Sequence, residues 1–251
     1  MRYFIFCFTI LFFFVSNTSA EVFQEEVKYY DIEILLFENL KQDPSNTEKW
    51  PTSIEFTVPE NSLFIGAPYP GPIPAKYNPR FTFKPIKAST YQLQEEAKLL
   101  TEHDDYRILY HRSWRQPGMD KDEAVSVVIE KDIPGIPYTT LPVANQPAML
   151  NLDSIEYDKI INQRLPKWNN LKGLIKIKLS RFLHIETDIQ YTQHIVLQDK
   201  EIMDAAVVKI QPQVYQLMQT RKMRSKELHY LDNPKLGLLV YITPVQTASS
   251  K

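Results

Sequence analysis

The sequence predicts an α+β domain in which helices pack on one face of an antiparallel sheet, with a ferredoxin-like core and Pro-rich insertions. The segment 171–191 alternates apolar and polar side chains, which is typical of a half-buried antiparallel sheet. A helical pattern at 91–103 lies between two strand-like segments, an order that suits a split βαβ core. The chain contains 18 prolines against 6 glycines, and these prolines are concentrated between the predicted strands.

The first 20 residues have the parts of a secretory signal peptide. Arg2 precedes an apolar run at 4–15, and small residues lead to Ala20, after which we expect cleavage. The alternative is an uncleaved anchor helix, but the run is shorter than the ~20 residues that span a bilayer. We therefore expect a mature chain of residues 21–251 that forms a single domain with no transmembrane segment.

The mature chain would contain no cysteine, because the only one, Cys7, lies in the predicted signal peptide. This excludes disulfides and thiolate metal sites. The mature chain also lacks Asn-x-Ser/Thr acceptor sites. Both absences favour the periplasm of a Gram-negative bacterium over a eukaryotic secreted protein. Loss of Arg2 changes the formal net charge from −1 to −2, which indicates no general attraction to nucleic acid.

The first half of the mature chain begins with a buried strand at 29–37. Seven prolines between positions 59 and 85 exclude a central strand or helix and favour a stiff extended loop packed on its own domain. The alternative for this Pro-rich segment (residues 59–85) is a recognition motif. Ser89 and Gln92 have capping-box spacing before the helix at 91–103, and a strand is expected at 106–114.

The second half contains the longer strands. After a loop that holds one short strand at 125–129, a second helix is expected from Asp153 to about Leu165. The alternating segment 171–191 is too long for one straight strand, so we expect a bend at 180–182. Another long strand at 214–231 and a closing strand at 238–243 complete the prediction.

Catalytic signatures are absent from the sequence. There is no Gly-rich phosphate loop, nucleophile elbow or zinc-protease motif, and the five histidines show no ligand spacing. His184, Glu186 and Asp188 would share one strand face, where a metal or acid–base site is conceivable and a solvated face is favoured. We therefore expect a protein that is not an enzyme and that holds no metal or cofactor.

Basic and aromatic side chains form the alternative to a catalytic site. Arginine binds carboxylates bidentately, and aromatic rings stack on the apolar faces of sugars. If three segments are neighbours in one sheet, such side chains would line a surface for an acidic glycopeptide. The competing interpretation is an internal network in which arginines pair with acids and Trp114 fills the core. The candidate residues are Arg112, Trp114, Arg115, Arg181, His184, Arg224, His229 and Tyr230.

Several of these segments resemble the CsiV family of periplasmic peptidoglycan-binding proteins, whose name refers to cell-shape integrity. The run Met223–Pro234 (MRSKELHYLDNP) is the most specific. No resemblance is found for 59–85 or 192–213. The other matching stretches are Tyr30–Phe37 (YDIEILLF), Tyr106–Pro117 (YRILYHRSWRQP), Leu171–His184 (LKGLIKIKLSRFLH) and Leu236–Pro244 (LGLLVYITP).

The resemblance implies an exported, non-enzymatic accessory protein that binds peptidoglycan and supports its assembly. The family is associated with a lipoprotein that activates a penicillin-binding protein, so such a lipoprotein is an expected partner. The alternative is an envelope protein whose target is another protein, contacted through the Pro-rich segment.

Overall fold

A computed structural model describes residues 27–41, 48–135, 168–197 and 209–246. Strands account for 54% of the described residues and helices for 7%. The helices are a short 3₁₀ turn at Ala88–Thr90 and α1 (Gln94–Glu102). The strands are β1 (Tyr29–Asn39), β2 (Ser62–Phe64), β3 (Lys84–Pro85), β4 (Tyr106–Pro117), β5 (Ser126–Pro134), β6 (Trp168–Leu179), β7 (Leu183–Leu197), β8 (Lys209–Met223), β9 (Leu228–Asp232) and β10 (Leu236–Pro244).

The strands form two five-stranded sheets that face each other. Sheet A has the order β3-β4-β1-β10-β9, and sheet B has the order β2-β5-β6-β7-β8. All neighbouring pairs are antiparallel except β2 and β5. One apolar core lies between the sheets, with Ile32, Trp114 and Val240 from sheet A against Ile175 and Ile185 from sheet B. The outer face of each sheet carries the alternate side chains.

The predicted α+β fold with helices on one sheet face is wrong. The chain forms two layers of sheet, and α1, the one α-helix of the described ranges, has nine residues and buries none of them. The physical reason is that each sheet has one apolar face, and the two apolar faces cover each other without a helical layer. The predicted helix at 153–165 and the predicted signal peptide lie outside the described residues. Within the described ranges, no helix has the length and apolarity needed to cross a membrane.

Each of the two long strands predicted in the second half is two strands in the structure. The first reverses at residues 180–182 to form the β6–β7 hairpin, and the second is interrupted at residues 224–227 between β8 and β9. Leu179 pairs with Leu183 across the hairpin, so odd-numbered residues face the core on both sides of the reversal. The predicted bend at 180–182 is thus a complete turn, while the strands at β1, β4, β5 and β10 are confirmed.

Helix α1 is held at its start by a carboxylate from β1. The predicted capping box does not form, since Leu93 is the N-cap and no side chain of the cap bonds to the helix. Instead Glu33 accepts hydrogen bonds from the amides of Gln92 (2.6 Å) and Leu93 (3.0 Å). His111 Nε2 donates to the same carboxylate at 2.8 Å. Glu33 therefore attaches the helix to the outer face of sheet A.

A buried carboxylate connects the two sheets. Glu38 of β1 is fully buried, and its Oε2 accepts hydrogen bonds from Arg107 Nε (3.0 Å) and Nη2 (2.6 Å). Tyr191 of sheet B donates its hydroxyl to the same oxygen at 3.2 Å, and Lys235 Nζ lies 2.9 Å from Oε1. Burial, followed by the charge of Glu38, raises the pKa of Tyr191. The hydroxyl therefore stays protonated and continues to donate across the sheet interface.

The open sides of the sandwich are joined by side chains that bind backbone carbonyls of the other sheet. On one side, Gln219 of β8 donates to the carbonyl oxygen of Asp232 in β9 at 2.7 Å. On the other side, Lys131 of β5 donates to the carbonyl oxygen of Leu109 in β4 at 2.8 Å. These two bonds link sheet A to sheet B across both open sides of the sandwich.

Part of the outer face of sheet B is covered by an extended strap, residues 51–61. At the β8 edge the amide of Val214 donates to the carbonyl of Pro51 (2.8 Å), and on β7 the side chain of Gln190 donates to the carbonyl of Glu55 (3.2 Å). The strap then reaches the opposite edge, where β2 pairs with β5. The half of this face nearer the β6–β7 turn lies beyond these contacts.

The Pro-rich segment packs on its own domain. It contributes Leu63, Tyr77 and Phe83 to the core, each less than 5% exposed. Tyr77 also donates its hydroxyl to Glu123, and Lys76 forms an ion pair with the same carboxylate at 2.6 Å. Hydrogen bonds from Lys76 and Tyr77 lower the pKa of Glu123. The segment is therefore an integral part of the sandwich.

Removing Arg107 should strongly destabilise the fold. The Arg107→Met variant leaves the buried Glu38 carboxylate with fewer donors, and we expect a loss of about 3 kcal/mol in the free energy of unfolding measured in urea. Lys98→Met is the control, because Lys98 lies 4.0 Å from Glu102 in an exposed helical pair and should change stability by less than about 0.5 kcal/mol. Equal stability of both variants would contradict the role of Glu38.

Glu123→Gln should change how stability depends on pH. Because the folded state lowers the pKa of Glu123 below its ordinary 4.5, the carboxylate stabilises the fold above that pH and ceases to do so as the pH falls through the lowered value. The free energy of unfolding of the variant should therefore decrease less than that of the native chain between about pH 5.5 and pH 3. Glu95→Gln, on the exposed side of α1, serves as the control. If the free energy of unfolding changed equally with pH in all three proteins, the role of Glu123 in holding the Pro-rich segment would be refuted.

Candidate functional site

The outer face of sheet B carries a row of basic side chains beside the β6–β7 turn. Lys178 pairs with His184 across the hairpin, and His184 pairs with Lys222 of β8. The residues next to these three in their strands, among them Ile177 and Met223, are buried in the core. Because side chains alternate between the faces of a strand, this packing directs Lys178, His184 and Lys222 outward together.

The turn itself adds an arginine and an aromatic ring to this row. Phe182 lies with its ring centroid 3.4 Å from Lys222 Nζ and 5.5 Å from Arg181 Cζ. Both distances are within the range of cation–π interactions, which contribute about 0.5–1 kcal/mol at exposed sites. We refer to Lys178, Arg181, Phe182, His184 and Lys222 as the basic turn cluster.

His184 is oriented by the backbone of the turn. Its Nδ1 lies 3.0 Å from the carbonyl oxygen of Phe182, and since a carbonyl only accepts, Nδ1 carries the hydrogen and donates. The neutral ring therefore keeps Nε2 as an acceptor.

The cluster has more positive than negative charge. Lys178 forms an ion pair with Glu186 on the adjacent strand. Arg181 and Lys222 are exposed, and across the described segments no acid lies within ion-pairing distance of either. In a chain whose formal net charge is −1, this local excess of cations favours an anionic ligand.

The adjacent β8–β9 turn carries two more predicted site residues at the same end of the sandwich. Met223 pairs with Leu183, and Arg224 follows it directly. The side chain of Arg224 is 75% exposed and lies 3.6 Å from Glu227. His229 Nε2 lies 3.1 Å from both the amide nitrogen and the carbonyl oxygen of Arg224, so the imidazole stabilises the turn. The two turns therefore place Arg181, His184, Arg224 and His229 at the same end of the sandwich.

Two of the predicted site residues, Trp114 and Arg115, have side chains that are already bonded to other residues of the fold. Trp114 is fully buried in the core, where its indole nitrogen donates to Gln116 Oε1 at 2.8 Å. Arg115 forms two hydrogen bonds with Asp31, at 2.6 and 2.8 Å, which raise the pKa of its guanidinium. For these two side chains the competing interpretation, an internal network around a core tryptophan, describes the structure.

Arg112 lies apart from the basic turn cluster, in the middle of β4. Its guanidinium lies 5.6 Å from the ring centroid of Tyr110 and donates to the carbonyl of His111 at 3.1 Å. Burial and, secondarily, the charge of Arg112 lower the pKa of Lys131 on β5. Arg112 is exposed but belongs to the side of the sandwich where β4 faces β5.

Tyr230 lies on the outer face of sheet A. Its ring stacks on Phe37 with centroids 6.3 Å apart and an interplanar angle of 5°, and 45% of the residue is exposed. Burial and the neighbouring Asp232 raise the pKa of Tyr230 to about 12. The cross-strand pairs Leu228–Tyr241 and Tyr230–Leu239 place four apolar or aromatic side chains together, and we refer to these four residues as the apolar strip.

Three residues of the basic turn cluster, Lys178, Phe182 and Lys222, were missed from sequence. Lys178 was assigned only to the polar face of an alternating strand, and Lys222 belongs to a strand some 40 residues further along the chain. Their proximity depends on the β7–β8 register. The signal for Lys178 and Phe182 is the Lys-Leu-Ser-Arg-Phe-Leu-His run, in which a turn would place cations on both sides of a ring.

The face that holds His184, Glu186 and Asp188 has no geometry for a metal. Glu186 pairs with Lys178, and Asp188 accepts a hydrogen bond from Gln216 at 2.8 Å. Among the residues that the structure describes, no group of three or more histidines, cysteines or acids is placed to hold a metal ion. What the site offers is a set of exposed donors and cations suited to binding anions.

A family model described as "Peptidoglycan-binding protein, CsiV" matches residues 74–245, which is more than half of the chain. No curated protein and no solved structure gives a significant match. The matched region contains the basic turn cluster, both turns and the apolar strip. It also includes 192–213, where the sequence showed no resemblance, and it begins after 30–37, where the sequence showed one.

Proposed function

Since the chain belongs to the CsiV family of peptidoglycan-binding proteins, we propose that it binds peptidoglycan through the basic turn cluster and the neighbouring Arg224. The observation that carries the proposal is the pair of exposed cations, Arg181 and Lys222, beside the ring of Phe182. Peptidoglycan offers many copies of the same anionic groups on one polymer. Weak contacts by single cations can therefore add up to stable attachment through multivalency.

Attachment to peptidoglycan would serve a role in the cell envelope. The chain would act in the periplasm of a Gram-negative bacterium, after removal of residues 1–20, as a non-enzymatic accessory protein. It would support peptidoglycan assembly and cell shape together with a lipoprotein that activates a penicillin-binding protein. The signal-peptide pattern and the absence of catalytic motifs in the sequence support this proposal.

Loss of three exposed cations should weaken attachment to sacculi. We expect the triple variant Arg181→Ala, Lys222→Ala, Arg224→Ala to co-sediment with purified sacculi about tenfold more weakly than the native mature protein, since each cation contributes roughly 0.5 kcal/mol. Native binding should also fall as NaCl rises from about 50 to 500 mM, because exposed charges are screened.

The matched control removes the same charge elsewhere. Lys84, Lys87 and Lys98 are exposed and lie outside the cluster, so their triple alanine variant should bind like the native protein. Equal losses in both triple variants would refute the proposed site. Failure of the native protein to co-sediment at low salt would refute peptidoglycan binding itself.

A second candidate function is favoured by the apolar strip. Leu228 is 47% exposed and Tyr230 45%, and aromatic side chains on a sheet face are typical of protein interfaces. The strip would contact a protein of the envelope, such as the lipoprotein activator. The Pro-rich segment is a weaker candidate for that contact because its deletion would remove core residues.

Replacing the strip should separate the two functions. We expect Leu228→Ser with Tyr230→Ser to lose capture of the purified lipoprotein activator by more than about tenfold, while sacculus binding stays unchanged. Met218→Ser is the control, because Met218 is 69% exposed on the outer face of sheet B. Undiminished capture by the double variant, or equal loss with Met218→Ser, would count against the strip as a partner surface.

A further inference from the structure

We infer that the basic turn cluster recognises the free carboxylates of the stem peptides and not the sugar rings of the glycan. This inference rests on the proposed function and names the part of the polymer that the cluster would contact. Two properties of the cluster support the inference: a cation lies on the ring of Phe182, and two cations are exposed. The third support is the different charge of the peptides and the glycan of peptidoglycan.

The ring of Phe182 is already occupied by a cation. Lys222 Nζ lies 3.4 Å from the ring centroid, which is ordinary contact distance for a group lying on the ring. A pyranose that stacked on that face would have to displace the ammonium group. Arg181 lies near the same ring, with Cζ 5.5 Å from the centroid. The aromatic side chain therefore positions cations and is not an open platform for a sugar.

Each exposed cation of the cluster can donate several hydrogen bonds. An ammonium carries three N–H groups and a guanidinium five, and both Arg181 and Lys222 are exposed. Lys178 completes the row but is engaged by Glu186, the one acid paired within it. A carboxylate placed between Arg181 and Lys222 would accept charge-assisted hydrogen bonds from both, with the bidentate geometry available to the guanidinium.

Carboxylates in peptidoglycan belong mainly to its peptides. The amidated muramic acid and the N-acetylglucosamine of a glycan strand are uncharged. The stem peptides carry free carboxylates on their acidic residues and at their ends. An excess of exposed cations thus distinguishes the peptides from the glycan, whereas aromatic stacking alone would favour the sugars.

Chemical neutralisation of the carboxylates tests the inference. Sacculi are amidated with carbodiimide and ammonia, which removes the negative charges but keeps every sugar and peptide bond. Binding of the native mature protein to amidated sacculi should be about tenfold weaker than to untreated sacculi. Equal binding to both would overturn the inference while peptidoglycan binding stood, and binding to neither would overturn the proposed function.

A second arm distinguishes the two sources of carboxylate. Amidase digestion removes the stem peptides and exposes the lactyl carboxylate of muramic acid, so stripped glycan strands are anionic without peptides. We expect weak binding to the stripped strands. Binding as strong as to untreated sacculi would overturn the assignment to stem peptides.

A variant of the cluster tests whether these residues cause the preference for untreated over amidated sacculi. In Arg181→Gln with Lys222→Gln, the ratio of binding to untreated and amidated sacculi should fall towards one. The control Lys84→Gln with Lys98→Gln makes the same change of charge at exposed sites outside the cluster and should keep the native ratio. A native ratio in the cluster variant would show that other residues read the carboxylates and would overturn the inference.

Discussion

The pairing of the Glu38 carboxylate with donors from both sheets is the constraint on which the sandwich depends. A fully buried charge is very costly unless it is paired, so Arg107, Lys235 and Tyr191 must all approach one side chain. Because Tyr191 belongs to β7, this requirement positions sheet B relative to β1. The β6–β7 turn lies at the start of β7, the strand in which Tyr191 occupies the middle, and its location relative to sheet A follows from the same contact.

Strand positions in this chain follow from side-chain alternation, but strand reversals do not. In the β6–β7 hairpin the paired residues Leu179 and Leu183 differ by an even number, so the apolar residues keep odd positions through the turn. A continuous strand and a hairpin therefore have the same pattern, and alternation alone does not reveal the reversal. The prediction of a ferredoxin-like core rests instead on the helical pattern at 91–103 between two strand-like segments. The position of the helix at 94–102 was predictable, but the carboxylate that holds its start, Glu33, belongs to a strand about 60 residues earlier in the chain.

The candidate site was predictable to the extent that its residues lie close together in sequence. Arg181 and His184 occupy one turn, and a cation-rich turn is visible in the sequence. Lys222 joins them only through the β7–β8 register. The opposite error occurred on β4, where Arg115 pairs with Asp31 and Trp114 is buried, because composition alone does not distinguish a side chain that binds a ligand from one that binds its own fold.

The strap at residues 51–61 limits where a ligand can reach the outer face of sheet B. By covering one half of the outer face of sheet B, it leaves the exposed cations at one end of the strands. A large ligand of these cations would therefore lie across one end of sheet B, where the strap does not separate it from the strands.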